Sequence, residues 1–204
     1  MSPRVRVLLA DDQALVRGAM AALLSLESDI EVVAEVGRGD EVVDAVRRTS
    51  PDVCLLDIEM PGRDGIEVAA DLAALEAGPG VLIVTTFSRP GYLRRALEAG
   101  ASGFVVKDTP AAELADAVRR VHAGLRVIDP ALATESLAGG PNPLTPREQE
   151  VLRESLSGAP VATIAAHVHL SVGTVRNHLS SAIGKTGSNT RAEAARTAEN
   201  RGWL

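Results

Sequence analysis

The 204-residue sequence is poor in aromatic side chains, has a single cysteine and contains no long apolar run. Aromatic residues make up 2% of the chain, which disfavours single-strand recognition by base stacking. Cys54 has no second cysteine for a disulfide or a thiolate metal site, so we interpret it as a small core residue. No window reaches the roughly 18–20 apolar residues of a membrane span, and the N-terminus lacks signal-peptide features. We therefore expect a soluble, cytoplasmic protein with no membrane partner.

Charge is unevenly divided along the chain, although the formal net charge is only -6. Residues 1–140 carry 14 basic and 22 acidic side chains, a balance of -8, whereas residues 141–204 carry 7 and 5, a balance of +2. An acidic region repels nucleic acid and suits a cation, whereas a mildly basic region suits phosphates. The two regions are therefore expected to have different partners.

Short apolar runs alternate with amphipathic stretches through the first 123 residues. This rhythm predicts strands followed by helices. Since the strands are apolar on both faces, they indicate a parallel sheet covered by helices on each side, a doubly wound α/β fold. The five predicted strands are 5–10, 31–36, 53–58, 81–86 and 103–108, and the five predicted helices are 14–26, 39–50, 65–75, 92–100 and 111–124.

A segment rich in proline, glycine and small residues follows, and we interpret residues 124–141 as a linker. Residues 142–204 contain helical patterns and no strand pattern, which predicts a small all-α second domain. The sequence thus predicts two domains, residues 1–123 and 142–204.

Polar side chains follow the predicted strands at their carboxyl ends, where ligands collect in doubly wound sheets. Asp11 and Asp12 end the first strand and Asp57 ends the third. Crowded carboxylates repel one another unless a cation relieves them, and hard oxygen ligands suit magnesium. Thr85 ends the fourth strand and Lys107 the fifth, so a hydroxyl and an ammonium complete a set that suits a phosphoryl group on a carboxylate. Each residue alone is ordinary at a strand end, and only the combination points to this chemistry.

Four segments carry a resemblance to a known family: LLADDQ, LLDIEMPGRDG, VTTFSRPGY and GFVVKDTP. They resemble the signature segments of response-regulator receivers, which have a five-stranded flavodoxin-like fold. The resemblance implies that Asp57 is the phosphoacceptor. It further implies that Asp12 binds magnesium directly with Asp11 assisting, and that the main-chain carbonyl of Glu59 is another ligand.

The same resemblance implies a switch. Thr85 is the hydroxyl that swings toward the phosphoryl group, Lys107 is its cationic partner, and Phe104 is either an aromatic rotamer switch or a buried anchor. Pro61 and Gly65 shape the loop after the acceptor. Because an aspartyl phosphate adds charge and oxygens, it would repack the nearby helices, and we expect it to promote homodimerisation. The helix 1 and helix 5 faces, or those of helices 4 and 5, are the candidate dimer surfaces.

The second domain begins with a strong helix start. Thr145 is the expected N-cap, Pro146 the first helical residue and Glu148 the partner in a capping box. Two further helical patterns, VATIAAHV and SVGTVRNHLSSAI, are separated by a tight turn, with Ser171 as the N-cap of the second. This is the layout of a helix-turn-helix, whose second helix enters the major groove, although a purely structural helix pair has the same periodicity.

The segments LTPREQEVL, SVGTVRNHLS and TRAEAARTAENRGWL resemble the output domain of LuxR/NarL-type regulators. A further resemblance is to regulators of the membrane-lipid desaturase type. It is carried by the receiver segments DVCLLDIEMPG and TTFSRPGYLRRALEAG and by the terminal ENRGWL. The resemblance implies that residues of the second helix face double-stranded promoter DNA, with Arg176 suited to guanine or phosphate and Asn177 to adenine. The implied contacts are Thr174, Arg176, Asn177 and Ser180, with Lys185 and Arg191 as backbone contacts.

The sequence departs from this family pattern in places. The supporting helix VATIAAHV lacks the charged residues usual there, and Gly184 and Thr186 replace residues expected to be basic and apolar. Fewer phosphate contacts imply weak binding by a monomer, so we expect a dimer on two half-sites to supply the affinity.

The main hypothesis is a transcription regulator, not an enzyme, that a sensor histidine kinase phosphorylates. One alternative is a dimeric regulator that works without phosphorylation, against which the intact set of Asp12, Asp57, Thr85 and Lys107 argues. Another is an aspartyl-phosphate phosphatase, but no segment of the sequence is long enough to form a substrate-covering cap.

Overall fold

The computed structural model describes residues 4–86, 90–128 and 142–204, apart from the side chain of Pro90. The chain divides into two compact units, one built on the sheet and one on the C-terminal helices. Most of the predicted linker, residues 129–141, and the segment 87–89 of one signature motif lie outside the described residues. The predicted domain boundaries therefore stay a prediction.

The first unit contains a parallel sheet with the strand order β2-β1-β3-β4-β5-β6. The strand order turns back at β1, and β3 pairs with the other edge of β1. Ligand sites of doubly wound sheets form at such a reversal, beyond the carboxyl ends of the strands. The strands are β1 Val5–Ala10, β2 Ile30–Val36, β3 Val53–Leu56, β4 Gly80–Thr85, β5 Gly103–Val106 and β6 Val127–Ile128.

Five helices connect the strands, and a 3-10 turn at Gly39–Glu41 leads into the second of them. The predicted helices all exist, and their ends differ from the predicted ones by a few residues, as expected where helix ends fray. The doubly wound α/β fold is thereby confirmed. The helices are α1 Ala14–Leu24, α2 Val42–Thr49, α3 Gly65–Ala73, α4 Pro90–Glu98 and α5 Ala111–His122.

The sheet has six strands and not the predicted five. The additional strand, β6, is only Val127–Ile128 and pairs in parallel with Gly103 and Phe104 of β5. Sequence periodicity missed it because two residues are too few to show an alternation. The chain thus returns to the sheet at Val127, after the end of α5 at His122.

Apolar strand residues form the core of this unit, together with the inner faces of α1 and α5. Val7, Leu9, Leu55 and Leu82 have no more than 1% of their surface exposed, because helices cover the sheet. Cys54 is also fully buried, and burial raises the pKa of its thiol to about 12. This agrees with its interpretation as a small core residue, since a protonated buried thiol is unreactive.

The second unit contains four helices among residues 142–204 and has a core of its own. The predicted caps are present: Thr145 accepts from Glu148 N, and Glu148 in turn accepts from Thr145 N. Ser171 accepts from Thr174 N at 3.0 Å. The helices are α6 Pro146–Ser155, α7 Val161–His167, α8 Val172–Thr186 and α9 Arg191–Asn200.

Among the described residues, no helix combines the length and the apolar character required to cross a membrane.

Candidate phosphoacceptor site and nucleic-acid interface

Four strands of the sheet bring the predicted polar residues to one edge. β1 lies between β2 and β3, and β3, β4 and β5 follow side by side, all parallel. Their carboxyl ends therefore meet, and Asp11, Asp57, Thr85 and Lys107 lie at or directly after them. The structure thus gathers residues that lie almost a hundred positions apart in the sequence.

Lys107 contacts both buried carboxylates of this site. Its Nζ lies 2.8 Å from Asp57 Oδ2 and 2.7 Å from Asp11 Oδ2. The side chains of Lys107, Asp11 and Asp57 are 7%, 1% and 4% exposed. One ammonium therefore lies between two carboxylates in a region that water scarcely reaches.

The site is under-neutralised. Carboxylate oxygens of Asp11, Asp12 and Asp57 lie within 4.8 Å of one another, and only Asp12 is exposed. Burial raises the pKa of Asp57. Lys107 acts to lower this pKa, whereas the negative charge of Asp11 acts to raise it further. Burial alone would lower the pKa of Lys107, but its two carboxylate partners raise it. Three carboxylates against one ammonium leave negative charge for a further cation, and hard oxygen donors fit magnesium.

The loop after Asp57 holds the Asp57 side chain in place. Ile58 N donates to Asp57 Oδ1 at 2.8 Å, and Gly65 N donates to Ile58 O at 2.9 Å. A Cβ on Gly65 would lie 2.0 Å from the main-chain oxygen of Asp57. Gly65 is thus required for the close approach of the main chain, and the positive φ in this loop belongs to Gly62, with φ +84.

The other residues implied by the resemblance occupy different positions around Asp57. Thr85 is fully buried at the end of β4, and its main-chain oxygen accepts from Lys107 N at 2.8 Å. Phe104 is fully buried in β5, three residues before Lys107, which fits the anchor interpretation. Glu59 is exposed in the loop after Asp57, and its role as a ligand stays a prediction.

Arg17 is a site residue that the sequence analysis missed. Its Nη1 donates to the main-chain oxygen of Asp11, and its Nε lies 3.7 Å from Glu35. Arg17 thus ties helix α1 to the loop that carries the aspartates. Its position in the first turns of the helix after Asp11 and Asp12 was the one sequence signal available.

Helix α8 presents the predicted DNA-facing residues on its surface. Val175, Leu179 and Ala182 face the core, whereas Arg176, Asn177 and Ser180 are exposed.

Thr174, Lys185 and Arg191 are engaged inside the second unit. The Thr174 hydroxyl lies 2.8 Å from Ser171 Oγ, in the helix cap. Lys185 Nζ donates to both oxygens of Glu148, at 2.7 and 3.0 Å. Arg191 Nη2 donates to Gly158 O at 3.4 Å. These bonds give each residue a structural role besides its predicted contact with DNA.

Two family models match the chain. Residues 7–119 match the response regulator receiver domain, and residues 142–198 match the bacterial regulatory proteins of the luxR family. The chain belongs to the LuxR family of response regulators. These proteins are DNA-binding transcription regulators and not enzymes, so the phosphatase alternative is not supported.

Curated relatives of this response regulator match over nearly their whole length. The transcriptional regulatory protein YvfU of Bacillus subtilis is 44% identical, over 98% of this chain and 100% of that protein. DesR of the same organism is 42% identical, over 98% and 99%. RamR of Streptomyces coelicolor is 37% identical over the whole of both chains.

A solved structure of a response regulator is similar to this chain. The response regulator ChrA of a heme-sensing two-component system is 34% identical and has a TM-score of 0.60, over 98% of this chain and 99% of that one.

Proposed function

We propose that this regulator is switched by phosphorylation of Asp57 in a two-component system, and that the phosphorylated form dimerises and binds promoter DNA through α8. The pairing of Lys107 with Asp57 inside a buried acidic cluster carries this proposal. It joins a nucleophilic carboxylate, a cation for the incoming oxygens and further carboxylates for a metal in one place.

The chemistry is phosphoryl transfer from a phosphohistidine of a sensor kinase. An oxygen of Asp57 forms the new bond to phosphorus as the bond between phosphorus and the histidine nitrogen breaks, and the nitrogen keeps the electron pair. Lys107 Nζ lies 2.8 Å from Asp57 Oδ2 and would then pair with the negatively charged phosphoryl oxygens. Ile58 N holds the other oxygen of Asp57 and so orients the carboxylate.

Asp57 and Asp12 would hold magnesium with Asp11 assisting, and the main-chain carbonyl of Glu59 is the further protein ligand that the resemblance implies. Magnesium supplies charge neutralisation at the transferred phosphoryl group. Asp11 also accepts from Gln13 N at 2.8 Å, which orients its carboxylate toward the cluster.

The switch would spread through β4 and β5. The Lys107 amide donates to the Thr85 carbonyl, so displacement of Lys107 toward a phosphoryl group also displaces the end of β4. The Thr85 hydroxyl would then turn toward the phosphoryl oxygens. Phe104 would act as the buried anchor of β5 because no part of its side chain is exposed.

The exposed face of helix α1 supports a dimer surface on α1 and α5 over one on α4 and α5. Arg17 is the one charged residue of α1, and it bonds to Asp11. Leu15 and Leu23 of the helix are 87% and 44% exposed, and Leu26, two residues beyond its end, is 81% exposed. A surface helix normally presents polar residues to solvent, so an apolar outer face indicates a partner, here a second copy of the chain.

Recognition of DNA would use the exposed face of α8. Arg176 and Asn177 suit bidentate bonds to guanine and adenine, and Ser180 suits either base or phosphate. Thr174 lies in the first turn of the helix; because its amide donates to Ser171 Oγ, its hydroxyl is the group proposed to contact a phosphate. Arg191 is retained as a proposed backbone contact.

The test is intact-protein mass spectrometry after incubation with acetyl phosphate and magnesium, followed by size-exclusion chromatography. Wild type should gain one phosphoryl adduct and shift toward dimer, and Asp57→Asn should do neither. Asp44→Asn, an exposed aspartate of α2, is the matched control and should behave as wild type.

The dimer surface is tested separately. Leu15→Glu should abolish the dimer but leave the adduct intact, whereas Leu156→Glu, at an exposed leucine of the second unit, should change neither. A wild-type dimer without an adduct would favour the phosphorylation-independent regulator, since the apolar face of α1 is exposed without phosphate.

A further inference from the structure

Glu148 is a buried side chain of the second unit whose carboxylate accepts several hydrogen bonds. None of the proposed functions uses it. It is 4% exposed and lies in the first turn of α6. Ser181 Oγ donates to its Oε1 at 2.6 Å, and Lys185 Nζ donates to both of its oxygens. Thr145 N donates to Oε2 at 2.7 Å. A single carboxylate therefore links the start of α6 to the second half of α8.

Ser181 and Lys185 lie one helical turn apart on α8. Asn177 precedes Ser181 by another turn, so the three residues form one stripe along the helix, spaced four residues apart. Attachment at two points of this stripe acts together with the buried residues of α8 to oppose rotation of the helix about its axis. Glu148 thereby helps to set the orientation of Asn177, and of Arg176 beside it.

Lys185 is also held back from DNA by this arrangement. Its Nζ lies 2.7 and 3.0 Å from the two oxygens of Glu148, and its side chain is only 34% exposed. To contact a phosphate it would have to leave a buried carboxylate without its cation, which is costly. Its charge is therefore used inside the domain.

We infer that Glu148 is a positioning residue for DNA recognition, which fixes the rotation of α8 through Ser181 and Lys185, and that Lys185 is an internal tie and not a phosphate contact. The inference rests on the proposed reading of DNA by α8. It replaces the backbone contact that sequence resemblance implied for Lys185.

The experiment uses the full-length phosphorylated protein and two duplexes of equal length. One is a duplex enriched from random DNA by the wild type, and the other is a duplex of scrambled sequence. The variants are Glu148→Gln, Ser181→Ala and Lys185→Met. Glu150→Gln is the matched control, because Glu150 is a carboxylate of the same helix that pairs with exposed Arg147, at 2.6 Å.

Glu148→Gln and Lys185→Met should weaken binding to the enriched duplex about tenfold and leave binding to the scrambled duplex nearly unchanged. Ser181→Ala should weaken it less, and it keeps the test valid if Glu148→Gln fails to fold. Glu150→Gln should match wild type. Fluorescence of the single tryptophan, Trp203, which is buried in the same core, verifies that each variant is folded.

The salt dependence of scrambled-duplex binding decides the role of Lys185. An internal tie predicts that Lys185→Met leaves the slope of log affinity against log salt unchanged, whereas loss of a phosphate contact reduces its magnitude by about 0.9. A reduced slope would overturn the inference, as would equal losses on both duplexes. Failure of the wild type to enrich any sequence would instead overturn the proposed function, a separate and recognisable result.

Discussion

In the described part of the chain, each of the two units of this regulator contains a buried polar cluster, and the two clusters have different charge balances. In the receiver, Lys107 is the cation between Asp11 and Asp57, with a third carboxylate nearby. In the DNA-binding unit, Glu148 receives bonds from Lys185, Ser181 and the Thr145 amide. The first cluster has too little positive charge, whereas the second is fully paired.

This difference matches what each unit has to do. In the proposed function an under-neutralised cluster suits a switch, because an added cation or phosphoryl group would change the charges with which Lys107 pairs. A satisfied cluster resists change and holds a helix in one orientation. The proposed switch and the proposed DNA recognition thus both depend on bonds between lysine and carboxylate, with a different ratio of carboxylates to lysine in each cluster.

The largest effect should come from removal of the receiver's cation. Lys107→Met leaves Asp11 and Asp57 buried without a counter-charge, so the free energy of unfolding of the receiver should fall by about 3 kcal/mol in the absence of magnesium. Urea unfolding followed by circular dichroism measures this loss. Magnesium should recover more stability in the variant than in wild type.

Asp57→Asn is the matched control for this comparison. It removes one carboxylate from the over-acidic cluster and should leave the stability of the receiver unchanged or slightly higher. A destabilisation comparable to that of Lys107→Met would show that the cluster is balanced, and the contrast between the two units would be lost.

A smaller effect is expected in the second unit. Burial alone would raise the pKa of Glu148, but bonds from Lys185, Ser181 and Thr145 lower it from 4.5 to about 2. Glu148→Gln should therefore reduce the free energy of unfolding of this unit by about 2 kcal/mol at neutral pH. Urea unfolding followed by Trp203 fluorescence measures it.

The same pKa predicts a pH dependence. Because the folded pKa of Glu148 lies below the unfolded one, its stabilisation is complete above about pH 4.5 and is lost as the pH falls toward 2. The difference between wild type and Glu148→Gln should narrow over that window. A constant difference down to pH 2 would rule out the ionised carboxylate as its cause.

The smallest effect should be a gain. Gly184 lies within α8, and a Cβ there would have no heavy atom within 4 Å. Gly184→Ala should stabilise the second unit by about 1 kcal/mol, since alanine favours a helix interior. Gly187→Ala, at the left-handed C-cap with φ +66, should destabilise it by a similar amount. Shifts of the urea midpoint, followed by Trp203 fluorescence, in the same direction for both variants would contradict this prediction.

Much of the fold was predictable because the relevant signals are local. Strands buried on both faces read as apolar runs, and the caps at Thr145 and Ser171 mark where helices begin. The two-residue strand β6 was not predictable, because its pairing with Gly103 and Phe104 depends on the position of the end of α5 relative to the sheet. Boundaries within the segment 129–141 stay a prediction.

Residue types and their places at strand ends were enough to select Asp11, Asp57, Thr85 and Lys107, since parallel strands bring their carboxyl ends together. The identity of the partners was decided only by tertiary structure. Neither the hydrogen bond from Arg17 to Asp11 nor the ion pair of Lys185 with Glu148 follows from the spacing of residues in the sequence, because each joins separate elements. Sequence determined which groups are available, and the packing of helices on one another determined which of them are already engaged.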